Sequence, residues 1–233
     1  MRTIMKLCNY TGQEIWEGVE CVGPHGIGLW HEKIMENGAT IQVYHELYVD
    51  LSLSLDAIRS GIRRSNKPHI SLGHKLWNTS VLTEVDHEVF AEFSRLHCSV
   101  AGRVTRPQET WNLQEQAIHN KDAFLIVLRN KDGRMVGGGL FHISRTEGVY
   151  AVAVFDRTLF DFPLGHVVQI RAIEHMKKLG LRWYKIGSRP YPSDVNVPTK
   201  KELNIGHFKE GFATHVFLRL HTFCSIKNED KQR

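Results

Sequence analysis

Three short apolar runs separated by polar turns occupy the middle of the chain. They span Phe124–Leu128, Met135–Phe141 and Val149–Phe155. The connecting segments, 130–133 and 145–148, each end in an acidic residue followed by glycine. Short apolar runs joined by turns of this composition are typical of antiparallel strands that follow one another in a meander. The pattern therefore predicts three consecutive antiparallel strands.

A helical pattern follows the third run. Its apolar positions recur at a spacing of four, with one neighbour, and are Leu164, Val168, Ala172, Ile173 and Met176. Pro163 suits the first turn of this helix, and Gly180 suits a left-handed cap at its end. A short strand is predicted over 182–186. Three strands, a helix and a further strand predict an α+β layer with one helix packed on a sheet.

A row of basic residues is predicted on an earlier helix, which follows a strand at Leu47–Leu51 and which Ser54 caps near Leu55. Arg59, Arg63 and Lys67 are spaced at i, i+4 and i+8, so one continuous helix would stack them on one face. Like charges at this spacing repel each other. The row therefore indicates a nearby anion, such as a phosphate or an RNA backbone. A solvated basic face is the alternative.

A second group of candidate substrate-binding residues lies between the helices predicted at 85–100 and at about 110–120. Arg103 and Arg106 lie in a loop that contains glycine and proline, and Trp111 starts the next helix. Guanidinium groups match the geometry of carboxylates and phosphates. Substrate contact, ordinary loop charges and salt bridges with Glu109 are all open for these arginines.

The segments after the meander carry further candidates. Asp156 and Arg157 end the third strand, where they either bind substrate or form a salt bridge or turn. Thr199 and Glu202 fit a capping box at a short helical turn. The segment from Phe208 to Phe217 is predicted to form the closing strands.

Composition sets broad limits. The 233 residues include 42% hydrophobic and 24% charged residues, as expected for a globular protein of one large or two small domains. The formal net charge of +5 favours an anionic partner only mildly. Residues 1–44 suggest short strands at Gly28–Trp30 and Thr40–Tyr44, with a glycine turn at Pro24–Gly28. The charged tail at 228–233 is expected to fray.

Several functions are disfavoured by the sequence. The four cysteines are scattered, which indicates reduced thiols, and the 14 histidines show no metal-ligand spacing. We therefore expect no metal and no bound cofactor. No nucleophile elbow of the GxSxG type is present. No apolar run approaches the roughly 20 residues that span a bilayer, so a cytoplasmic protein with no membrane partner is expected. The oligomeric state is left open.

Three segments together resemble the FemAB-type aminoacyltransferase branch of the GNAT acyltransferase superfamily. They are Ile58–Ser65 (IRSGIRRS), Gly180–Gly187 (GLRWYKIG) and His207–Phe212 (HFKEGF). Their order matches that family's helix, strand and closing motifs over roughly residues 46–220. The resemblance implies a GNAT-like mixed sheet flanked by helices, with a curtailed N-terminal half. It divides the chain into a partial half (1–84), a complete acyltransferase domain (85–225) and a tail (226–233).

The resemblance also implies roles for particular residues. Phe208 and Lys209 match the pair that lies by the reacting carbonyl in the family, where the lysine stabilises the developing negative charge. A surface lysine paired with Glu202 or Glu210 is the alternative. The strand motif adds Tyr184 and Lys185 to the substrate-binding candidates.

The donor and acceptor follow from the same resemblance. Enzymes that use acyl-CoA bind its pyrophosphate on a glycine-bearing loop before the main helix. Here Asp161–His166 contains one glycine, a proline and an aspartate, which departs from that loop. The expected donor is therefore aminoacyl-tRNA, and the expected acceptor is a small amine such as an amino sugar or nucleotide sugar. An acyl-CoA-dependent N-acyltransferase and a non-catalytic module that binds RNA or an anionic glycan are the alternatives.

Overall fold

A computed structural model describes residues 3–8, 14–19 and 40–223 of the chain, with side chains from 44 to 219. The strands are β1 (Thr3–Cys8), β2 (Glu14–Val19), β3 (Thr40–Asp50), β4 (Asn78–Leu82), β5 (Ala123–Arg129), β6 (Met135–Ile143), β7 (Glu147–Phe155), β8 (Trp183–Ser188) and β9 (His215–Phe223). The α-helices are α1 (Leu55–Gly61), α2 (Asn66–Leu76), α3 (His87–Ala101), α4 (Gln108–His119), α5 (Leu164–Lys178) and α6 (Lys200–Glu210). A single 3₁₀ turn at Arg157–Leu159 precedes α5.

Seven strands form one mixed sheet in the order β4-β5-β6-β7-β8-β3-β9. β7 and β8 are parallel, whereas the pairs β4–β5, β5–β6, β6–β7 and β8–β3 are antiparallel. β1 and β2 form a separate antiparallel pair. Residues 46–217 form one compact unit, and the described residues before and after this range belong to a second unit. The division between residues 84 and 85 stays a prediction.

The predicted meander and the helix after it are confirmed. β5, β6 and β7 follow one another as antiparallel neighbours, and Gly133 adopts a φ of +81° in the first turn. Leu164, Val168, Ala172 and Met176 are all buried along α5. Gly180 has a φ of +74°, as a left-handed cap requires.

The core lies on both faces of the sheet, because alternate residues of a strand point to opposite faces. On one face Phe124, Ile126 and Leu128 of β5 join the buried side of α5. On the other face Leu125 and Val127 pack with residues of α3 and α4. Within the described ranges, none of the helices has the length and apolar character of a membrane-spanning segment.

Two expectations about secondary structure are wrong. The helix that Ser54 caps ends at Gly61, and Ile62 has a ψ of 134°, so Arg59 and Lys67 lie on different helices. Phe208 and Lys209 lie in the last turn of α6 rather than in a strand. The capping box that begins α6 is confirmed: the hydroxyl of Thr199 accepts a hydrogen bond from the Glu202 N–H, and the Glu202 carboxylate accepts one from the Thr199 N–H.

Of the four features predicted in the first 44 residues and in the tail, only one lies within the described residues. The run at Thr40–Tyr44 is the start of β3, which continues to Asp50. The glycine turn at 24–28, the run at 28–30 and the tail at 228–233 lie outside the described residues.

Candidate active site

The central feature is a fork between the parallel strands β7 and β8, defined here by Tyr150, Gly187 and Lys209. Parallel pairing ends at Val149 and Lys185, although β7 continues to Phe155 and β8 to Ser188. On its other side β7 pairs Tyr150 with Phe141 and Val152 with Leu140, which leaves Ala151 as an extra residue. Such a bulge re-aims neighbouring groups and is frequent beside active sites.

Lys209 reaches the fork from α6. Its Nζ lies over the ring of Tyr150, 5.4 Å from the ring centroid. A Cβ added at Gly187 would lie 2.6 Å from the same Nζ, so any other residue here would displace the ammonium from this position. The φ of +137° at Gly187 also favours glycine. β7, β8 and α6 are distant in sequence, and together they place the ammonium of Lys209 at the point where the two strands separate.

The electrostatic setting of Lys209 suits a negative charge that develops nearby. The side chain is half-buried, and burial lowers the pKa of its ammonium below the ordinary value. No carboxylate in the described part of the chain forms an ion pair with it. A partly desolvated, unpaired cation acts strongly on an oxyanion, since solvent screens it little.

The predicted alternative for Lys209, a surface pair with Glu210 or Glu202, is wrong. Glu210 lies 3.2 Å from Arg63 and 3.1 Å from Arg189, measured between nitrogen and oxygen. Glu202 is engaged in the capping box. Both neighbouring carboxylates thus have other partners, and neither forms an ion pair with Lys209.

Phe208 has a different position from its neighbour. Its ring covers the first turn of α5: a Cβ at Gly165 would lie 3.1 Å from Phe208 Cζ. The His166 ring meets Phe208 edge to face at 5.0 Å and stacks on His69 at 4.8 Å. Burial, with a smaller effect of His69, lowers the pKa of His166 to about 4. The Phe208 ring therefore packs against the side of the first turn of α5 and not against Lys209.

A buried hydrogen-bonded group supports the fork from beneath. The hydroxyl of Tyr184 donates to Gln169 Oε1 at 2.6 Å, and both residues are fully buried. Burial raises the pKa of Tyr150, and a hydrogen bond with Gln169 opposes part of that rise. Tyr184, predicted to bind substrate, is thus a core residue that helps to fix Tyr150 through Gln169.

Lys185 forms a buried ion pair. Its Nζ lies 2.8 Å from Glu46 Oε1, and the two side chains are 11% and 3% exposed. The Tyr48 hydroxyl lies 3.4 Å from the other Glu46 oxygen. The structure therefore places this predicted substrate-binding residue between β8 and β3.

The three residues of the predicted basic row have separate partners. Arg59 pairs with Glu174 at 2.8 Å. Arg63 donates to the His207 carbonyl at 2.8 Å, and Lys67 donates to the Ser60 carbonyl at 2.9 Å. A single anion-binding face on one helix is therefore wrong.

The predicted substrate-binding residues near α3 and α4 differ in their exposure and surroundings. Trp111 is 3% exposed and packs edge to face on Phe90 and Phe93 in the core. The Arg106 guanidinium lies 5.4 Å from its ring centroid, and both residues line a surface groove of about 350 Å³. Arg103 is exposed and does not line that groove.

The predicted substrate-binding residues Asp156 and Arg157 also differ in their surroundings. Asp156 pairs with Arg134 at 2.8 Å and accepts hydrogen bonds from the N–H and hydroxyl of Thr158. The Thr158 hydroxyl contributes most to lowering the pKa of this carboxyl. Asp156 therefore caps the 3₁₀ turn, the alternative predicted for it, while Arg157 is exposed.

Two residues of the fork region are missing from the sequence-based candidates. Tyr150 is the one polar side chain in the apolar run of β7, and Gln169 is a fully buried polar residue on the core side of α5. In the sequence, a polar residue within an apolar pattern was the feature that could have indicated Tyr150 and Gln169. Among the described residues no group of three acidic, histidine or cysteine side chains could hold a metal ion.

Comparison with solved structures identifies the fold. FemX superposes with a TM-score of 0.62 at 13% identity, over 88% of this chain and 70% of FemX. L-PGS from Bacillus licheniformis gives 0.54 at 14%, over 84% and 65%. A tandem GNAT protein from the clavulanic acid biosynthesis pathway gives 0.51 at 12%, over 95% and 62%. The chain thus spans about two thirds of the length of these proteins.

Sequence comparison adds nothing to this result, since no protein-family model and no curated protein matches the chain. At identities of 12–14% the structural similarity establishes the fold alone. The mixed sheet flanked by helices, predicted from the three motifs, is confirmed. The chain has the GNAT-type fold that FemX and the tandem GNAT protein share.

Proposed function

We propose that the protein is an N-acyltransferase of the FemX type, which transfers an acyl group to an amine at the β7–β8 fork. The observation that carries the proposal is the position of Lys209, half-buried and without a paired carboxylate among the described residues. Attack of a neutral amine on an ester carbonyl creates a tetrahedral oxyanion. Lys209 would donate a hydrogen bond to that oxygen, and its lowered pKa would make it a better donor.

The remaining residues of the site support this role. Gly187 gives the ammonium room, and the Tyr150 ring attracts it through a cation–π contact. The attack forms the C–N bond, and collapse of the oxyanion then breaks the C–O bond of the ester. The proton that the amine nitrogen loses ends on the leaving oxygen, so the products are the amide and the free donor hydroxyl. Holding both substrates in the fork would make this step effectively intramolecular.

Aminoacyl-tRNA is the proposed donor. Phe208 packs against the first turn of α5, Pro163 at its start has no N–H, and Asp161 precedes it; each of these features would disfavour a bound diphosphate. The net charge of +5 is compatible with a nucleic-acid donor. The proposed acceptor is a small amine, such as an amino sugar or a nucleotide sugar.

An isotope-transfer experiment tests the proposal. The protein is incubated with tRNA charged with labelled amino acids, or with labelled acyl-CoA, and with small molecules recovered from its native purification. We expect label from charged tRNA in an amide product, identified by mass spectrometry. Turnover of acyl-CoA alone would replace the donor, whereas salt-sensitive RNA or glycan binding with no transfer from either donor would replace the enzyme with a binding module.

A further inference from the structure

A groove of about 350 Å³, called here the α3–α4 groove, lies between α3 and the start of α4. Its walls include Arg95 and Cys98 of α3, Arg106 of the connecting loop and Trp111 of α4. The two arginines come from different elements and line the same depression. None of the described residues that line it carries a carboxylate. The groove therefore has two positive charges and no negative charge in its walls.

Arg106 rests on the core beneath the groove. Its guanidinium lies over the Trp111 ring, 5.4 Å from the ring centroid. Trp111 is 3% exposed, and the rings of Phe90 and Phe93 pack edge to face on it. A cation gains a favourable interaction over an aromatic ring, and a side chain that is already fixed loses little conformational freedom when it binds a ligand. Arg106 is therefore preorganised for contact with an anion.

The surrounding charges leave the groove positive. Glu92, three residues before Arg95 on α3, already pairs with an arginine of β5 at 2.6 Å. Glu109 is exposed and does not line the groove. Burial lowers the pKa of His97, and the charge of Arg106 lowers it further. Like charges that share a site repel each other, and a bound phosphate would remove this repulsion.

We propose that the α3–α4 groove binds the phosphate backbone of the RNA part of the donor, through the guanidinium groups of Arg95 and Arg106. The inference rests on the proposed aminoacyl-tRNA donor and names a contact of that donor outside the fork. A tRNA is far larger than the fork, and phosphate contacts dominate the affinity of proteins for nucleic acids. A planar guanidinium matches two oxygens of one phosphate.

Binding of uncharged tRNA, measured by fluorescence anisotropy at several KCl concentrations, tests the proposal. Arg95→Gln and Arg106→Gln should each weaken binding roughly tenfold and lower the salt slope by about one, because each removes a charge-assisted contact to a phosphate. Arg103→Gln is the matched control, since it removes the same charge from the same loop but outside the groove, and it should leave binding nearly unchanged. If thermal unfolding shows that Arg106→Gln disturbs the packing on Trp111, Arg95→Gln decides the result.

Cys98 gives a second readout inside the groove. Its side chain is half-buried and lines the groove, so bound RNA should slow its alkylation by iodoacetamide. The alkylated peptide is followed by mass spectrometry without ligand, with uncharged tRNA, and with inorganic phosphate at matched ionic strength. We expect protection by tRNA in the wild-type and Arg103→Gln proteins, and its loss in Arg95→Gln.

Four results would overturn the proposal. They are no saturable binding of tRNA, wild-type affinity in both groove variants, equal weakening by Arg103→Gln, and protection of Cys98 by inorganic phosphate but not by tRNA. The last result would make the groove a site for a small phosphate. Uncharged tRNA takes part in no transfer, so the outcome is separate from that of the acyltransferase proposal. Transfer with unchanged KM for charged tRNA in both groove variants would refute the groove and leave the proposed function intact, whereas tRNA binding in the groove without any transfer would do the reverse.

Discussion

Replacing Gly187 by alanine tests whether the position of the Lys209 ammonium matters. The new Cβ would lie 2.6 Å from Nζ. Ordinary contact begins near 3.4–3.5 Å, so the ammonium would have to retreat by about 0.8 Å or more. A misplacement near 1 Å can cost roughly 10²-fold in rate. We therefore expect kcat of the transfer reaction to fall about 10²-fold.

The same substitution also has a backbone cost. The φ of +137° at Gly187 is strained for a residue with a side chain, at about 1–3 kcal/mol. For a chain of this size each kcal/mol lowers Tm by about 2–4 °C. The lysine side chain is flexible and can move, so its displacement should add little to this loss.

Gly133→Ala provides the matched control. Gly133 has a φ of +81°, and an added Cβ would meet nothing within 4 Å. Thermal unfolding should show a comparable loss of stability in both variants, whereas labelled transfer should fall only in Gly187→Ala. In a Gly187→Ala, Lys209→Met double variant, activity should be no lower than in Lys209→Met alone. Equal activity of the two glycine variants would refute the assigned position of the lysine.

The other predictions concern charges around the fork. Lys209→Met should lower kcat by roughly 10²–10³-fold. It should leave Tm unchanged or a few degrees higher, since it removes a half-buried unpaired cation; a clear fall in Tm would make the lysine structural. Glu46→Gln should destabilise the fold by up to about 3–5 kcal/mol in urea unfolding, because it removes the negative charge from a buried ion pair with Lys185; an unchanged midpoint would contradict this. His166 has a folded pKa of about 4 against an ordinary 6.5, so the unfolded chain binds more protons between these values. Stability should therefore fall as pH drops through this window, and His166→Phe should lessen the loss between pH 7 and pH 5; an identical loss in both proteins would oppose the assignment.

Local patterns predicted the layer that holds the fork. Turn residues such as Gly133, the stripe along α5 and the Thr199–Glu202 box depend on neighbours in the sequence, and each is present in the structure. They express backbone and burial preferences that do not require knowledge of distant contacts.

The broken basic helix shows where sequence patterns were insufficient. The helical spacing of Arg59, Arg63 and Lys67 continues across Ile62, but the chain turns there. The Arg63 N–H donates to the Gly211 carbonyl at 2.9 Å, and its guanidinium bonds the His207 carbonyl at 2.8 Å. Partners nearly 150 residues away in sequence thus override a local helical preference.

The candidate site was predictable only in part. The motif resemblance selected Lys209 and included Gly187, but assigned the lysine to a strand. The apolar spacing of Phe208 and Phe212 is helical, and the capping box nine residues before Phe208 indicates the same helix. Tyr150 joins Lys209 only because parallel pairing stops after Val149, which no local pattern encodes.

The most direct measurement of the central claim is single-turnover transfer from labelled aminoacyl-tRNA to the acceptor amine, with wild-type protein and Lys209→Met in parallel. Lys131→Gln, which removes an exposed lysine from the β5–β6 turn, serves as the control. The account predicts amide formation by the wild-type and control proteins and a loss of roughly 10²–10³-fold in Lys209→Met with folding intact. Transfer by well-folded Lys209→Met at the wild-type rate would contradict it.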